Sequence, residues 1–182
     1  MKIVKTNIEG LLVLEPKVFT DSRGYFLESW NNKVFLENNL DFKPVQQNES
    51  KSSFGVVRGL HYQLAPYSQA KLVRVILGKV LDVAVDLRKN SPSFGKYYSV
   101  ILSEENKKQF FIPKGFAHGF SVLSDFAIFS YMCDEYYSPE HERAISYNDN
   151  FLNIDWQVPF DKMIISNKDM AAPCFKTAEY NF

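Results

Sequence analysis

Lys71-Leu72-Val73-Arg74-Val75-Ile76-Leu77, followed after Gly78-Lys79-Val80 by Leu81-Asp82-Val83-Ala84-Val85-Asp86-Leu87, is the stretch that decides the fold class. The first run is β-branched and mostly apolar. The second alternates, placing Leu81, Val83, Val85 and Leu87 on one face, as the two-residue side-chain period of a strand requires. Gly78-Lys79 between them predicts a hairpin turn. Working outward, Tyr97–Leu102, Gln109–Ile112, Phe116–Leu123 and Ala127–Met132 repeat the signal, and Gly, Pro, Asn or Ser break the chain between them. Many short strands of this kind predict an all-β sandwich or barrel.

Helices are minor. Ser29 is placed to cap a helix over about 31–39, Ser103-Glu104-Glu105-Asn106 reads as one capped turn, and Asp169-Met170-Ala171-Ala172 reads as a last helical turn stopped by Pro173. The 182 residues fit one domain spanning 1–182, with no internal repeat or linker-like segment.

Lys plus Arg equals Asp plus Glu at 21 each, so there is no basic excess of the sort that marks a nucleic-acid surface. The longest uninterrupted apolar runs are about four residues, as in Leu11-Leu12-Val13-Leu14, against the ~20 that span a bilayer. The first residues lack the apolar core of a signal peptide. Cys133 and Cys174 read as free thiols of a reducing compartment. A soluble, cytoplasmic protein without nucleic-acid or membrane partners is the expectation.

Three histidines occur, His61, His118 and His141, and none forms a close His-x-His pair. Pro113-Lys114-Gly115-Phe116-Ala117-His118 resembles the second half of the cupin signature, whose first half supplies His-x-His and Glu. The corresponding stretch here, Lys71 through Asp86, has no histidine. A cupin barrel without metal ligands therefore fits better than a metalloenzyme. In Val57-Arg58-Gly59-Leu60-His61-Tyr62-Gln63 a regular strand would send Arg58 and His61 to opposite faces. If both serve one pocket, the chain must depart from a regular strand, and Gly59 is the place for a bulge.

A set of motifs in fixed order then makes a specific resemblance. Asp21-Ser22-Arg23-Gly24-Tyr25-Phe26-Leu27-Glu28, Gln46-Gln47-Asn48, Val57 through Gln63, Lys71 through Val75, Asp82 through Arg88, Ile112 through Phe120 and Tyr136 through Glu142 are similar to those of the dTDP-4-dehydrorhamnose 3,5-epimerases. The match runs from about Gly10 to Asp169. It implies a cupin-like jelly roll, mainly β with a few short helices, usually a homodimer, with no metal and no other cofactor. It implies a reaction that inverts C3 and C5 of a nucleotide-linked 4-keto sugar.

By position, the resemblance makes His61 the base, Asp169 its carboxylate partner, Tyr131 the proton donor on the other face and Lys71 the residue beside the ketone. It places Arg58 and His118 near the sugar and phosphates. It sends Arg23 and Glu28 to the nucleotide across a dimer interface and adds Gln46, Gln47, Asn48, Glu142 and Lys168 as further binding positions, while Phe26, from its residue type alone, reads either as a ring that stacks on the nucleotide base or as a core aromatic. The chemistry suits these types. Epimerisation beside a ketone passes through an enolate, for which imidazole, with an ordinary pKa of about 6.5, is a matched base. A carboxylate steadies the imidazolium, and an ammonium answers the developing oxyanion.

Taken alone, Asp169 also reads as a helix cap, Tyr131 as a core aromatic, Arg23 as a surface charge beside a turn, and Glu142 with Arg143 as a solvated pair. The chain departs from the family pattern at Met132 and Cys133, where Lys and Thr types are commoner. Close relatives of this family invert only one carbon or use other nucleotide sugars. A non-catalytic sugar-nucleotide binder and a metal-dependent cupin oxygenase are the readings from other classes.

Overall fold

The computed structural model describes residues 1–182. Thirteen strands are present: β1 (Lys2–Lys5), β2 (Leu12–Glu15), β3 (Val18–Asp21), β4 (Gly24–Leu27), β5 (Gln46–Ser53), β6 (Val57–Gln63), β7 (Lys71–Leu77), β8 (Lys79–Asp86), β9 (Tyr97–Ser103), β10 (Gln109–Ile112), β11 (Phe116–Val122), β12 (Phe126–Cys133) and β13 (Glu142–Ala144). Only two short α-helices occur, α1 (Asn32–Glu37) and α2 (Asn167–Met170), with a 3-10 turn at Phe160–Lys162.

The strands form a β-sandwich of the jelly-roll type. One sheet runs β1-β2-β10-β7-β12-β5 and the other β13-β6-β11-β8-β9, all pairs antiparallel. The β3–β4 hairpin pairs only with itself. The expected hairpin at Gly78-Lys79 is not one. β7 lies in the first sheet and β8 in the second, so the chain crosses between sheets at Gly78, whose φ is +81°. A Cβ there would fall 2.2 Å from the Phe126 carbonyl oxygen, so the tight approach as well as the dihedral requires glycine.

Three apolar layers follow from the alternation. Val73, Val75, Phe110, Ala84, Phe120 and Phe129 fill the space between the sheets. Leu60, Leu81, Val83, Val85 and Leu87 face outward from the five-stranded sheet and are covered by the chain's last third, including Ile145, Trp156 and Phe175. Leu12, Leu14, Leu72 and Phe111 face outward from the six-stranded sheet and meet Phe35 of α1 and Phe42. The second sheet is thus apolar on both faces, and β8 is buried almost throughout.

α1 is shorter than its sequence signal, α2 is shifted toward the N-terminus by two residues, and both differ in their caps. α1 is capped by Asn31, whose side chain accepts from the Lys33 amide at 2.9 Å, two residues after the expected Ser29. α2 starts two residues before Asp169 and is capped by Ser166. The Ser103 turn is as expected, with the Asn106 amide donating to Ser103 Oγ. No helix is long and apolar enough to cross a membrane.

Candidate active site

The main cavity, about 530 Å³, opens between the two sheets. The six-stranded sheet contributes Asn48 and Ser50 of β5, Lys71 of β7, and Phe129 and Tyr131 of β12. The opposite wall carries Arg58 and His61 of β6 and His118 and Phe120 of β11. The segment Ile164–Asp169 closes one side.

Arg58 and His61 reach the same cavity because β6 is irregular. Against β11, His61 lies opposite His118 but Arg58 lies opposite Phe120, so three residues of β6 span two of β11. Gly59 takes a φ of +130°, and Leu60 turns outward into the layer that also holds Val57. A Cβ on Gly59 would lie 2.5 Å from Gly119 Cα and 2.9 Å from the His118 carbonyl oxygen, so the bulge depends on two glycines meeting back to back. The departure from regularity that the sequence demanded is therefore present. Arg58 Nε donates to Ser52 Oγ at 3.1 Å.

His61 Nε2 lies 2.6 Å from Asp169 Oδ1, across 108 residues of sequence. The C-terminal segment is brought to β6 by a parallel bridge between Val56 and Ile164, in which the Val57 amide donates to the Ile164 carbonyl and the Ile164 amide to Gly55. One turn later Ser166 caps α2 by accepting from the Asp169 amide at 3.1 Å. Ser166-x-x-Asp169 has the spacing of a capping box, but its carboxylate turns to His61 instead of closing the box. Asp169 is 3% exposed. Burial pushes its carboxyl up, yet hydrogen bonds from His61, the Ser166 side chain and the Gly59 backbone outweigh that and hold it below the ordinary carboxylate range.

Tyr131 faces this pair from the other sheet. Burial pushes its phenol up, aided by Cys133, while an Asn48 hydrogen bond and the Arg58 charge act against the rise. The Lys71 ammonium sits 5.9 Å from the Tyr131 ring centroid. Burial lowers its pKa, and Cys133, Asp82 and Glu142 oppose that. Cys133, fully buried beside it, is itself pushed up to about 11 by burial and is a neutral thiol.

His118 Nε2 lies 3.0 Å from both carboxylate oxygens of Asp82, which is 0% exposed. At the rim, Glu142 accepts from Lys168 Nζ and, at 2.7 Å, from the Tyr137 hydroxyl. Burial pushes Glu142 up, but these bonds and the Lys168 charge hold it low. Gln46 Oε1 accepts from the Tyr137 amide and Gln46 Nε2 donates to Asn48. Gln47 points away, to Ser130.

Arg23, Phe26 and Glu28 do not line this cavity. Arg23 and Phe26 are on the β3–β4 hairpin and Glu28 follows it, all exposed. Arg23 pairs with Asp21 at 2.6 Å, and the hairpin is tied to the turn after β9 by Lys107 over the Tyr25 ring at 4.0 Å. The cavity thus gathers His61, Asp169, Tyr131, Lys71, Arg58, His118, Asn48 and Lys168, with Glu142 and Gln46 beside its mouth. Sequence reasoning did not single out Asp82 or Ser166. Ser166 carried a readable capping signal three residues before Asp169. No group of three or more His, Cys, Asp or Glu side chains is arranged to hold a metal ion.

An imidazole bonded to a buried carboxylate, facing a phenol and an ammonium across a narrow cavity, can take a proton from one side of a bound carbonyl compound and return one to the other. Comparison with known proteins meets that chemistry. The chain is 52% identical over 183 residues to the dTDP-4-dehydrorhamnose 3,5-epimerase of Shigella flexneri, covering 99% of each protein. It superimposes on the crystal structure of the dTDP-4-dehydrorhamnose 3,5-epimerase from Elizabethkingia anophelis with a TM-score of 0.93 at 54% identity, over 97% of both chains. A dTDP-6-deoxy-D-glucose-3,5-epimerase from Legionella pneumophila, solved in complex with dTDP-4-keto-L-rhamnose, gives a TM-score of 0.93 at 49% identity, over 97% of this chain and 93% of that one. A family model described as dTDP-4-dehydrorhamnose 3,5-epimerase matches residues 5–177. Carried by this match along nearly its whole length, and by the jelly roll it shares with the solved relatives, the chain belongs to the dTDP-4-dehydrorhamnose 3,5-epimerase family.

Proposed function

We propose that this protein inverts C3 and C5 of dTDP-4-dehydro-6-deoxy-D-glucose to give dTDP-4-dehydro-L-rhamnose, using the groups of its inter-sheet cavity. The observation that carries the reading is the His61–Asp169 pair on one wall facing Tyr131 and Lys71 on the other. His61 takes the proton from a carbon beside the C4 ketone. The C–H electron pair becomes the C=C bond of an enolate, and the carbonyl π pair moves to oxygen. Lys71 supplies positive charge at that oxygen. Tyr131 returns a proton to the carbon from the opposite face, and solvent restores both groups. Asp169, held ionised by its three hydrogen bonds, steadies the imidazolium. The same cycle at the second carbon completes the inversion.

Arg58, His118, Asn48, Gln46, Glu142 and Lys168 bind the sugar and nucleotide in this reading, within one domain spanning 1–182; Gln47, whose side chain turns to Ser130, stands outside this set. Arg23, Phe26 and Glu28 act from the neighbouring subunit of a homodimer. Support for that comes from a hairpin whose strands pair only with each other and whose Phe19, Tyr25 and Phe26 are exposed, outside its own chain's cavity.

The test is proton NMR of the substrate in deuterated water with the enzyme, with a reductase coupled to trap the product. Deuterium is expected at both carbons, and exchange at one carbon alone selects a single-centre epimerase. His61→Ala is expected to abolish exchange at both. Persistent exchange in that variant would overturn the base assignment.

A further inference from the structure

Asp82 is a buried carboxylate that the reaction above does not use. It is 0% exposed and its side chain has one hydrogen-bonding partner, His118 Nε2, at 3.0 Å from each oxygen. An ionised carboxylate offers about four acceptor sites, so this one is poorly satisfied for a group wholly out of water. Buried charges with so little support are costly, and a native structure that keeps one needs a reason.

The register shows how the contact is made. His118 on β11 lies directly opposite Ala84 on β8, and Phe120 lies opposite Asp82. Asp82 and Ala84 share a face. The small Ala84 leaves room for the imidazole to lean to its diagonal neighbour, a reach that long side chains manage in antiparallel pairs. Phe129 stacks on the ring at 6.0 Å and 21°, which fixes its plane.

The consequence is for the other ring nitrogen. One proton lies between Asp82 and Nε2, so donation from the far side of the ring needs a second proton, carried on Nδ1, with the Asp82–His118 pair neutral as a whole. Nδ1 has no partner within the protein, yet it is not among the enclosed unpartnered atoms, of which the Trp30 indole nitrogen is the sole case. Nδ1 is therefore the atom that His118 offers to the cavity it lines. The same holds for Lys71 Nζ, which makes no hydrogen bond or ion pair and is not enclosed either. Asp82 also acts on Lys71, since its charge opposes the lowering that burial imposes on the ammonium.

Resting on the reading proposed above, we infer that Asp82 is a positioning residue: it fixes His118 so that Nδ1, beside the Lys71 ammonium, forms a second hydrogen-bonding point for the ketone oxygen of the substrate. Two groups converging on one oxygen hold the sugar ring in place while C3 and C5 in turn meet His61.

The experiment begins with 15N NMR of the whole enzyme labelled at histidine, where only three residues contribute. In the wild type His118 is expected to show a hydrogen-bonded Nε2 and an Nδ1 that shifts when the substrate is added. A bare Nε2 overturns the inference, whatever the variants do. Asp82→Asn is expected to move the His118 signals, leave those of His61 and His141 in place, and lower kcat about tenfold or more with KM within about threefold, less than the ~100-fold expected from removing a donor outright in His118→Gln.

The double variant is expected to lose no more than His118→Gln alone, because Asp82 acts through His118. Unchanged kcat in Asp82→Asn, or losses that multiply in the double variant, would sink it. If Asp82→Asn does not fold, the wild-type spectrum and His118→Gln still decide, since an unchanged kcat in the latter rules out the second contact. None of these readouts concerns the base, so failure here leaves the His61 assignment standing, and failure of His61→Ala leaves the His118 geometry standing.

Discussion

The cavity holds two histidine–carboxylate pairs on neighbouring strands, with His61 directly opposite His118, and the two carboxylates, both shielded from solvent, are pushed in opposite directions. Asp169 is 3% exposed and Asp82 is 0%. Asp169 collects hydrogen bonds from His61, Ser166 and the Gly59 backbone, and its carboxyl is held low. Asp82 is pushed up by burial, with the His118 charge and hydrogen bond and the Lys71 charge acting against it. The difference teaches that depth and the donors at hand together decide which way a buried acid's pKa moves. It also separates two tasks. A pair that must stabilise a newly formed imidazolium needs a firmly ionised partner. A pair that only orients a ring does not.

The sharpest way to break this contrast is Asp169→Asn. The shape is kept and the charge is lost, so kcat is expected to fall by about 10²–10⁴ with KM little changed. Steady-state rates and deuterium uptake check it, and a loss no larger than that of Asp82→Asn would erase the distinction between the pairs. Next in size is Gly59→Ala. A side chain at φ +130° and 2.5 Å from Gly119 Cα forces β6 out of its bulge. A cost of about 2 kcal/mol or more in urea unfolding is expected, together with lost activity as Arg58 and His61 separate.

The smallest effect concerns pH. A carboxyl held low stabilises the fold above its unfolded pKa of about 3.9, and that contribution is lost as pH falls through the native value. A carboxyl pushed up does the reverse: it weakens the fold above its native pKa and ceases to do so as pH falls below about 3.9. Asp169→Asn should therefore melt a few degrees below the wild type at pH 7, and Asp82→Asn slightly above it. The Asp82 gap should close as pH falls toward about 4, whereas the Asp169 gap should persist there and close only at lower pH. Gaps of the same sign in thermal melts would contradict the opposed shifts.

Much of this was legible in the sequence. The β-rich class followed from alternation, and His61, Lys71, Tyr131 and Asp169 followed from ordered motifs. Even the bulge at Gly59 followed from requiring Arg58 and His61 in one pocket. Asp82 was not legible. Leu81-Asp82-Val83-Ala84-Val85-Asp86-Leu87 has the pattern of a strand with one wet face. Here the apolar face meets the chain's last third and the other face meets the opposite sheet, so both aspartates are fully buried. Asp86 is satisfied by Arg88, Ser91 and Ser93, whereas Asp82 reaches a histidine 36 residues away. The Gly78 crossing was hidden for a related reason. A tight turn looks alike locally whether the next strand pairs with the last one or joins the facing sheet. The cap of α1 slipped from Ser29 to Asn31 because neighbouring polar residues compete for one role.

The parallel bridge between Val56 and Ile164 has a consequence in time as well as in space. Every strand of both sheets precedes residue 145, so all of them leave the ribosome before Asp169 does. During that interval His61 lacks its partner and the cavity lacks the wall formed by Ile164–Asp169. The enzyme therefore becomes competent only once the segment through Asp169 has docked, and a messenger cut short just before Ile164 would leave the histidine idle and part of the outer apolar layer uncovered.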